Sequence, residues 1–350
     1  MNKIKIIYLL FFLLLTGCTM NEIEEYSIVA GIGIDYNDGL YQVTYEIYKE
    51  NNGETTSLTS IIKKGVGHSI SSAVNDINNK IYQIPYLNHC LLIILSESIV
   101  EQKLEETINY LIHDVRIRSS CYIVTTEDNK ASEILEVSQE NKQVVSYNIF
   151  KKIDQKPNQV GIWNNCDFDY IMNEKIDKNG VLIIPIVKYS QDFDISNVTI
   201  ITKNEKIKVM EEEVFVIQLF YNCVNEGLIK INDYYLYLKS LKSKITFNNN
   251  TIKIDLYIQL LSYDDLKNEE QKKELVTKLE EEMKLLVTNI FTKYQEMGVD
   301  AFGIYKHLQR FEHKKYTKIE NEYDTYFMNL KLFPLITIDL LTSGLSEERI

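Results

Sequence analysis

Cys18 is the side chain whose neighbours most clearly prescribe a reaction. It closes the tetrapeptide Leu15-Thr16-Gly17-Cys18, directly behind an apolar run from Ile6 to Leu15 and the lysines Lys3 and Lys5. Cations, apolar run, small residues and cysteine in that order read as a lipoprotein export signal. The Cys18 thiol is the nucleophile that accepts diacylglycerol, with acyl chains of the palmitate type. Thr16 and Gly17 are small enough to let a peptidase reach the backbone just before it, so the mature protein is expected to begin at Cys18. Length argues against a retained anchor: a spanning helix needs about 20 apolar residues, roughly twice what this run supplies. It suits the apolar part of a signal peptide. Each buried methylene of an attached lipid contributes about 0.8 kcal/mol of membrane affinity, so two chains can hold a soluble body at a bilayer.

Nothing else in the chain nominates a reaction. Cys90, Cys121, Cys166 and Cys223 are widely spaced and make no C-x-x-C pair. Metal and redox motifs are therefore missing from the sequence. Cys90 and Cys121 fall in apolar segments, where a free cysteine packs as a small hydrophobe; a disulfide is the alternative, and spacing does not choose between them. His68, His89, His113, His307 and His313 show no H-E-x-x-H or other close ligand pairing, and no nucleophile elbow or phosphate-binding loop is found. No catalytic residue, metal or cofactor is expected. Gly31 and Gly33 resemble the start of a dinucleotide fingerprint, but the third glycine is missing and a strand follows. Glycine inside a strand more often marks a bulge or close backbone approach. Glu280-Glu281-Glu282 reads as solvating charge on a helix. In Asp114-Val115-Arg116-Ile117-Arg118 two arginines stand within three residues, which leaves open a structural ion pair with Asp114 or a contact with a partner.

Composition supports a folded, multi-domain body. Hydrophobic residues make up 45% and charged residues 25% of 350 residues, which is ordinary for a globular chain and long enough for two or three domains. The formal net charge is −12, and cleavage would remove two further cations. A nucleic-acid partner is excluded, because phosphate backbones require a basic face. An acidic body also needs an anchor to stay on anionic lipid.

The elements that would carry these residues follow from periodicity. Ser27 to Asp35 and Leu40 to Tyr48 read as a hairpin about Asn37-Asp38-Gly39. Ile70, Val74, Ile77 and Ile81 have helical spacing, Cys90 to Leu95 suits a buried strand, Val100 to Leu111 is helical and Ser119 to Thr126 strand-like. Residues 138–180 are polar and read as a loop-rich connection. Val181 to Val187, Val198 to Thr202 and Lys206 to Met210 are short strands. Glu211-Glu212-Glu213 opens a helix that ends before Gly227. Two long strands, Tyr234 to Phe247 and Thr251 to Ser262, follow. The helix 269–297 carries the stripe Leu275, Leu279, Met283, Leu286, Ile290, Tyr294 and Met297 and stops at Gly298. Asp300 then caps a shorter helix through Ile304 and Leu308, and a strand from Tyr326 to Leu341, with Phe327 or its neighbours in its inward set, closes the fold.

Four segments in order resemble the Ger(x)C family of spore germination lipoproteins, the C subunits of GerA-type nutrient germinant receptors. They are Asn21 to Asp35 with its Gly31-Ile-Gly33-Ile-Asp35 strand, His89-Cys-Leu-Leu-Ile-Ile-Leu-Ser-Glu97, Leu111-Ile-His-Asp114-Val-Arg116-Ile-Arg118, and Tyr294 to Ile304 with Gly298-Val-Asp300-Ala-Phe-Gly303. Two departures stand out: Thr19-Met20 replaces the Trp-Asp that often follows the lipidated cysteine, and no tryptophan lies beyond Trp163. The resemblance implies an α+β protein of about three domains, each a mainly antiparallel or mixed sheet flanked by helices, with a long helix in the C-terminal domain. The expected division is 1–17 leader, 18–26 lipidated tether, 27–160 N-terminal domain, 161–210 small middle domain or connection, and 211–350 C-terminal domain. The implied role is non-enzymatic: a subunit anchored through Cys18 at the outer face of the spore inner membrane, assembling with an integral-membrane A subunit and a transporter-like B subunit. A lipid-anchored solute-binding protein of a transporter is the alternative, and it would show two hinged lobes with parallel sheets. A hydrolase would require side chains to converge in one cleft, and none is nominated.

Overall fold

The structure is a computed structural model that describes residues 25–49, 59–141, 143–154, 159–174, 180–203, 205–231, 234–248, 250–262 and 269–342. Cys18 and its leader lie outside the described residues. Two mixed sheets carry the fold. The first joins β1 (Tyr26–Asn37), β2 (Leu40–Lys49), β3 (Thr59–Gly67), β4 (Ile84–Tyr86), β5 (Leu92–Leu95), β6 (Tyr122–Thr126), β7 (Leu182–Tyr189), β8 (Phe193–Ile201) and β9 (Lys206–Val209). Its order is β3-β2-β1-β5-β6-β7-β8-β9, with β4 alongside β1. The centre, β1-β5-β6-β7, is parallel and both flanks are antiparallel. Strands β7, β8 and β9, at 182–209, thus continue the sheet begun by the N-terminal hairpin.

Helices cover this sheet on both sides. On one side α1 (Ile70–Asn78), α2 (Glu97–Gln102), α3 (Leu104–His113) and α6 (Phe168–Asn173) share a core with Ile32, Ile93 and Ile123. On the other, α4 (Ala131–Asn141) and α5 (Val145–Asp154) pack on Leu92, Ile94 and Val124. Burial on both faces explains why Leu92-Ile93-Ile94-Leu95 shows no alternation. Helix α5 corrects the loop-rich reading of 138–180: Val145, Ile149 and Ile153 lie four apart and are buried, and Trp163 and Cys166 are buried as well. Asn148, Lys151 and Lys152, half-buried between the apolar positions of α5, masked that stripe.

The second sheet is β10 (Gly227–Ile231), β11 (Tyr234–Asn248), β12 (Thr251–Ser262) and β13 (Lys331–Thr342) in that order. It is antiparallel through β10, β11 and β12, and β13 runs parallel to β12. One face packs on α8 (Glu269–Glu296), in which Leu279, Met283, Val287, Ile290, Phe291 and Tyr294 are buried. Between the two sheets runs α7 (Glu211–Tyr221), buried continuously from Val214 to Phe220 and touching β8, β11 and α8. A helix enclosed on all sides must be apolar all round. Beyond α8 come α9 (Ile304–Phe311), α10 (His313–Ile319) and α11 (Tyr323–Met328). Helix α11 takes the first residues of the strand expected from Tyr326. Phe327 is buried as expected, but from a helix that leads into β13.

Candidate functional site

The start of β1 is the site that any tether from Cys18 must reach. Eight Cα steps separate Cys18 from Tyr26, a span of at most about 29 Å. Tyr26 pairs with Ile84 in the register of β1 and β4. Its ring meets Tyr86 edge-on at 5.4 Å, and Ser27 Oγ donates to Gln83 Oε1 at 2.8 Å. The first strand is therefore fastened within two residues of where the described chain begins.

The Gly31-Ile-Gly33-Ile-Asp35 segment does its work against α4 and α5. An added Cβ on Gly31 would stand 1.7 Å from Ser146 Oγ, and one on Gly33 3.3 Å from the Ala131 Cβ. The β1–β2 register also slips between Val29 and Gly31, so bulge and close approach are both present. Asp35 then accepts hydrogen bonds from the N–H groups of Ala131 at 2.8 Å and Ser132 at 3.0 Å, at the N-terminus of α4. Glu46 on β2 does the same for α5, accepting from the N–H groups of Val145 and Ser146, each at 2.8 Å, and from the hydroxyls of Ser60 and Ser146. Burial pushes both carboxyls above the ordinary range, and the hydrogen bonds offset only part of it. Sequence reading missed Glu46. It falls in the polar phase of β2 with Gln42 and Thr44, opposite Tyr45 and Ile47, and so reads as a solvent-facing residue until helices cover that face.

Asp114 and Arg116 form a two-point ion pair, Nε to Oδ1 at 2.8 Å and Nη2 to Oδ2 at 2.6 Å. Burial raises the Asp114 carboxyl, but the Arg116 hydrogen bonds and charge outweigh it and hold the group below its usual value. Of the two readings of this loop, the ion pair is present for Arg116. Arg118 is exposed beside Val115, which is 94% exposed.

In the C-terminal half Asp300 plays the part that Glu46 plays in the N-terminal half. It is buried and accepts from the N–H groups of Ile304 at 3.0 Å and Tyr305 at 2.7 Å and from the Tyr323 hydroxyl at 2.7 Å. The expected cap is thus present, reached from three residues before Gly303, which occupies the N-cap position at φ 66°. A Cβ there would meet the Tyr221 hydroxyl at 2.8 Å. Gly298, at φ 68°, ends α8. The turn therefore ties α8, α9 and α11 to one buried carboxylate. Glu174 after α6 pairs with Lys306 on α9, joining the two halves.

No catalytic constellation assembles among the described residues. Cys90, Cys121, Cys166 and Cys223 are buried and free, with Cys90 and Cys121 Sγ atoms 3.7 Å apart, and burial pushes the Cys121 thiol well up. Among the described residues no group of three or more His, Cys, Asp or Glu is placed to hold a metal. Two open hollows, of about 630 Å³ beside Asn250 and Tyr326 and about 440 Å³ beside Tyr147 and Tyr189, hold no nucleophile with an adjacent base. No helix among the described residues is long and apolar enough to cross a membrane.

Residues 19–189 match the family described as the spore germination protein N-terminal domain, and residues 169–344 match the spore germination B3/GerAC-like C-terminal family. The chain belongs to the GerAC family of spore germination proteins. It is similar to spore germination protein B3 of Bacillus subtilis strain 168, 28% identical over 130 residues. That match takes in 35% of this chain and 34% of the relative, so it spans about a third of the curated relative's length. The crystal structure of the GerBC protein superposes with a TM-score of 0.52 at 17% identity, covering 89% of this chain and 97% of that one, and establishes a common fold. Membership of that family ties the chain to spore germination.

Proposed function

We propose that the chain is a lipoprotein tethered through Cys18 to the outer face of the spore inner membrane. There it assembles with an integral-membrane A subunit and a transporter-like B subunit into a nutrient germinant receptor. The observation that carries this reading is a lipidation sequence ending at Cys18, directly before the matched family region, which runs from residue 19 to residue 344. Attachment by lipid requires no spanning segment, and the first strand is pinned where such a tether would enter. The subunit is a rigid adaptor on this view, because its buried carboxylates Asp35, Glu46 and Asp300 are occupied in holding helix starts and Glu174 in an ion pair with Lys306. A solute-binding protein would need two parallel lobes about a hinge; here the second sheet is antiparallel through β10–β12 and α7 is packed between the sheets.

The test is Cys18→Ala in the spore-forming host. The variant should leave the membrane fraction, and the nutrient response that depends on the receptor should fail. Retention of Cys18→Ala in washed membranes, or an intact response to every nutrient after gene deletion, would sink the proposal.

A further inference from the structure

The face of the second sheet turned away from α8 carries no helix among the described residues, and its cross-strand rows are legible from the register. Nearest the β11–β12 turn is the row Asn248, Thr251 and Lys331; next Thr246, Lys253 and Phe333 stand abreast, followed by Lys244, Asp255 and Leu335, then Lys242, Tyr257 and Thr337. Next comes a polar row, in which Ser240 Oγ donates to Gln259 Oε1 at 3.4 Å and Gln259 Nε2 donates to Asp339 Oδ2 at 3.0 Å. The rows before it gather Tyr257, Leu335 and Phe333, 43%, 51% and 55% exposed, against Lys242, Lys244 and Lys253. Asp255 is held by Lys253 at 2.9 Å, and among the described residues no ion pair includes Lys242 or Lys244.

We infer that this apolar triad with its lysine rim is a docking surface for an acidic protein partner, one whose face sets Asp or Glu side chains around an apolar centre. Apolar anchors ringed by charge are the ordinary anatomy of a protein interface. The sign follows from complementarity: a cationic patch on a chain of net charge −12 selects carboxylates and steers their approach. A second copy meeting the same face would set lysine against lysine, which disfavours a symmetric dimer here. Anionic lipid fits less well, because a flat pleated face must meet it whole, with Asp255 and Asp339 among the lysines.

The inference rests on the receptor-subunit reading for the choice of sample alone. A photoactivatable benzoyl-phenylalanine is placed at Tyr257 in the full-length chain in spores, with Leu285 on the solvent side of α8 as control. The Tyr257 probe should cross-link a protein segment that mass spectrometry shows to carry Asp or Glu beside apolar residues, well above the Leu285 yield. K242E/K244E should cut that yield about tenfold, with the melting temperature unchanged, as for charges that steer and hold an interface. A yield equal to that at Leu285, one insensitive to K242E/K244E, adducts to lipid alone, or a cross-link to residues 343–350 of the same chain would each overturn it. Tyr257 and Leu285 are compared in whichever cell fraction holds the chain. Loss of membrane attachment therefore counts against the lipid anchor and leaves this surface to be judged by its own contrast.

Discussion

The two sheets differ in how many of their faces are covered, and nearly every local feature follows from that difference. In the first, helices lie on both sides, so β5 and β7 are apolar runs and polar groups that enter must be consumed internally, as Asp35 and Glu46 are. In the second, β12 alternates strictly between buried and wetter positions, and its outer face keeps lysines, tyrosines and the Phe333–Leu335 pair. Coverage on two sides leaves no surface with which to recognise a partner. Coverage on one side leaves a surface that can change without unfolding the protein.

Substitution should expose that contrast. Glu46→Ala orphans the buried N–H groups that start α5 and should cost about 4 kcal/mol, read by chemical denaturation. Gly31→Val drives a side chain into Ser146 and should cost about 3 kcal/mol, with α5 displaced. If either variant melted like the wild type, double coverage would not be what holds the first sheet. Asp300→Ala should lose about 3 kcal/mol as well, which would show that burial and not position in the chain sets the penalty.

A subtler test uses pH. The folded-state carboxyl of Glu46 is raised, so the native state binds a proton more readily than the unfolded chain. Its contribution to stability is fully present below the ordinary glutamate value and is lost as pH rises through the raised one. The stability of wild type minus that of Glu46→Gln should therefore grow as pH is lowered from 7 toward 5. A difference that shrinks would mean the carboxyl is held ionised. The smallest effect belongs to the open face, where Leu335→Ser should change stability by no more than about 0.5 kcal/mol. A larger loss would mean that this face is packed.

Much of this was legible because it is local. The Asn37-Asp38-Gly39 turn holds positive φ at Asp38 and Gly39, the stripe of α8 is buried at Leu279, Met283, Ile290 and Tyr294 although Met297 is exposed and Val287 and Phe291 join the buried face, and Asp300 caps α9. Helix α5 was not legible, because its polar flank resembles a linker and its start depends on a carboxylate about a hundred residues earlier. Tyr326 was placed in a strand because the alternation of β13 extends into α11. Within the candidate site, the loop at Asp114 offered two partners by spacing, and geometry chose Arg116.

The sequence by itself determined the lipidation expectation at Cys18, the identity of most elements and the motifs that mark the family, since each depends on residues a few positions apart. Tertiary structure decided that β7–β9 extend the first sheet, that Asp35 and Glu46 are buried, that Cys90 and Cys121 touch, and that one face of the second sheet carries no helix among the described residues. Those outcomes turn on contacts between segments far apart in the chain, whose burial and desolvation exist only once the layers have closed.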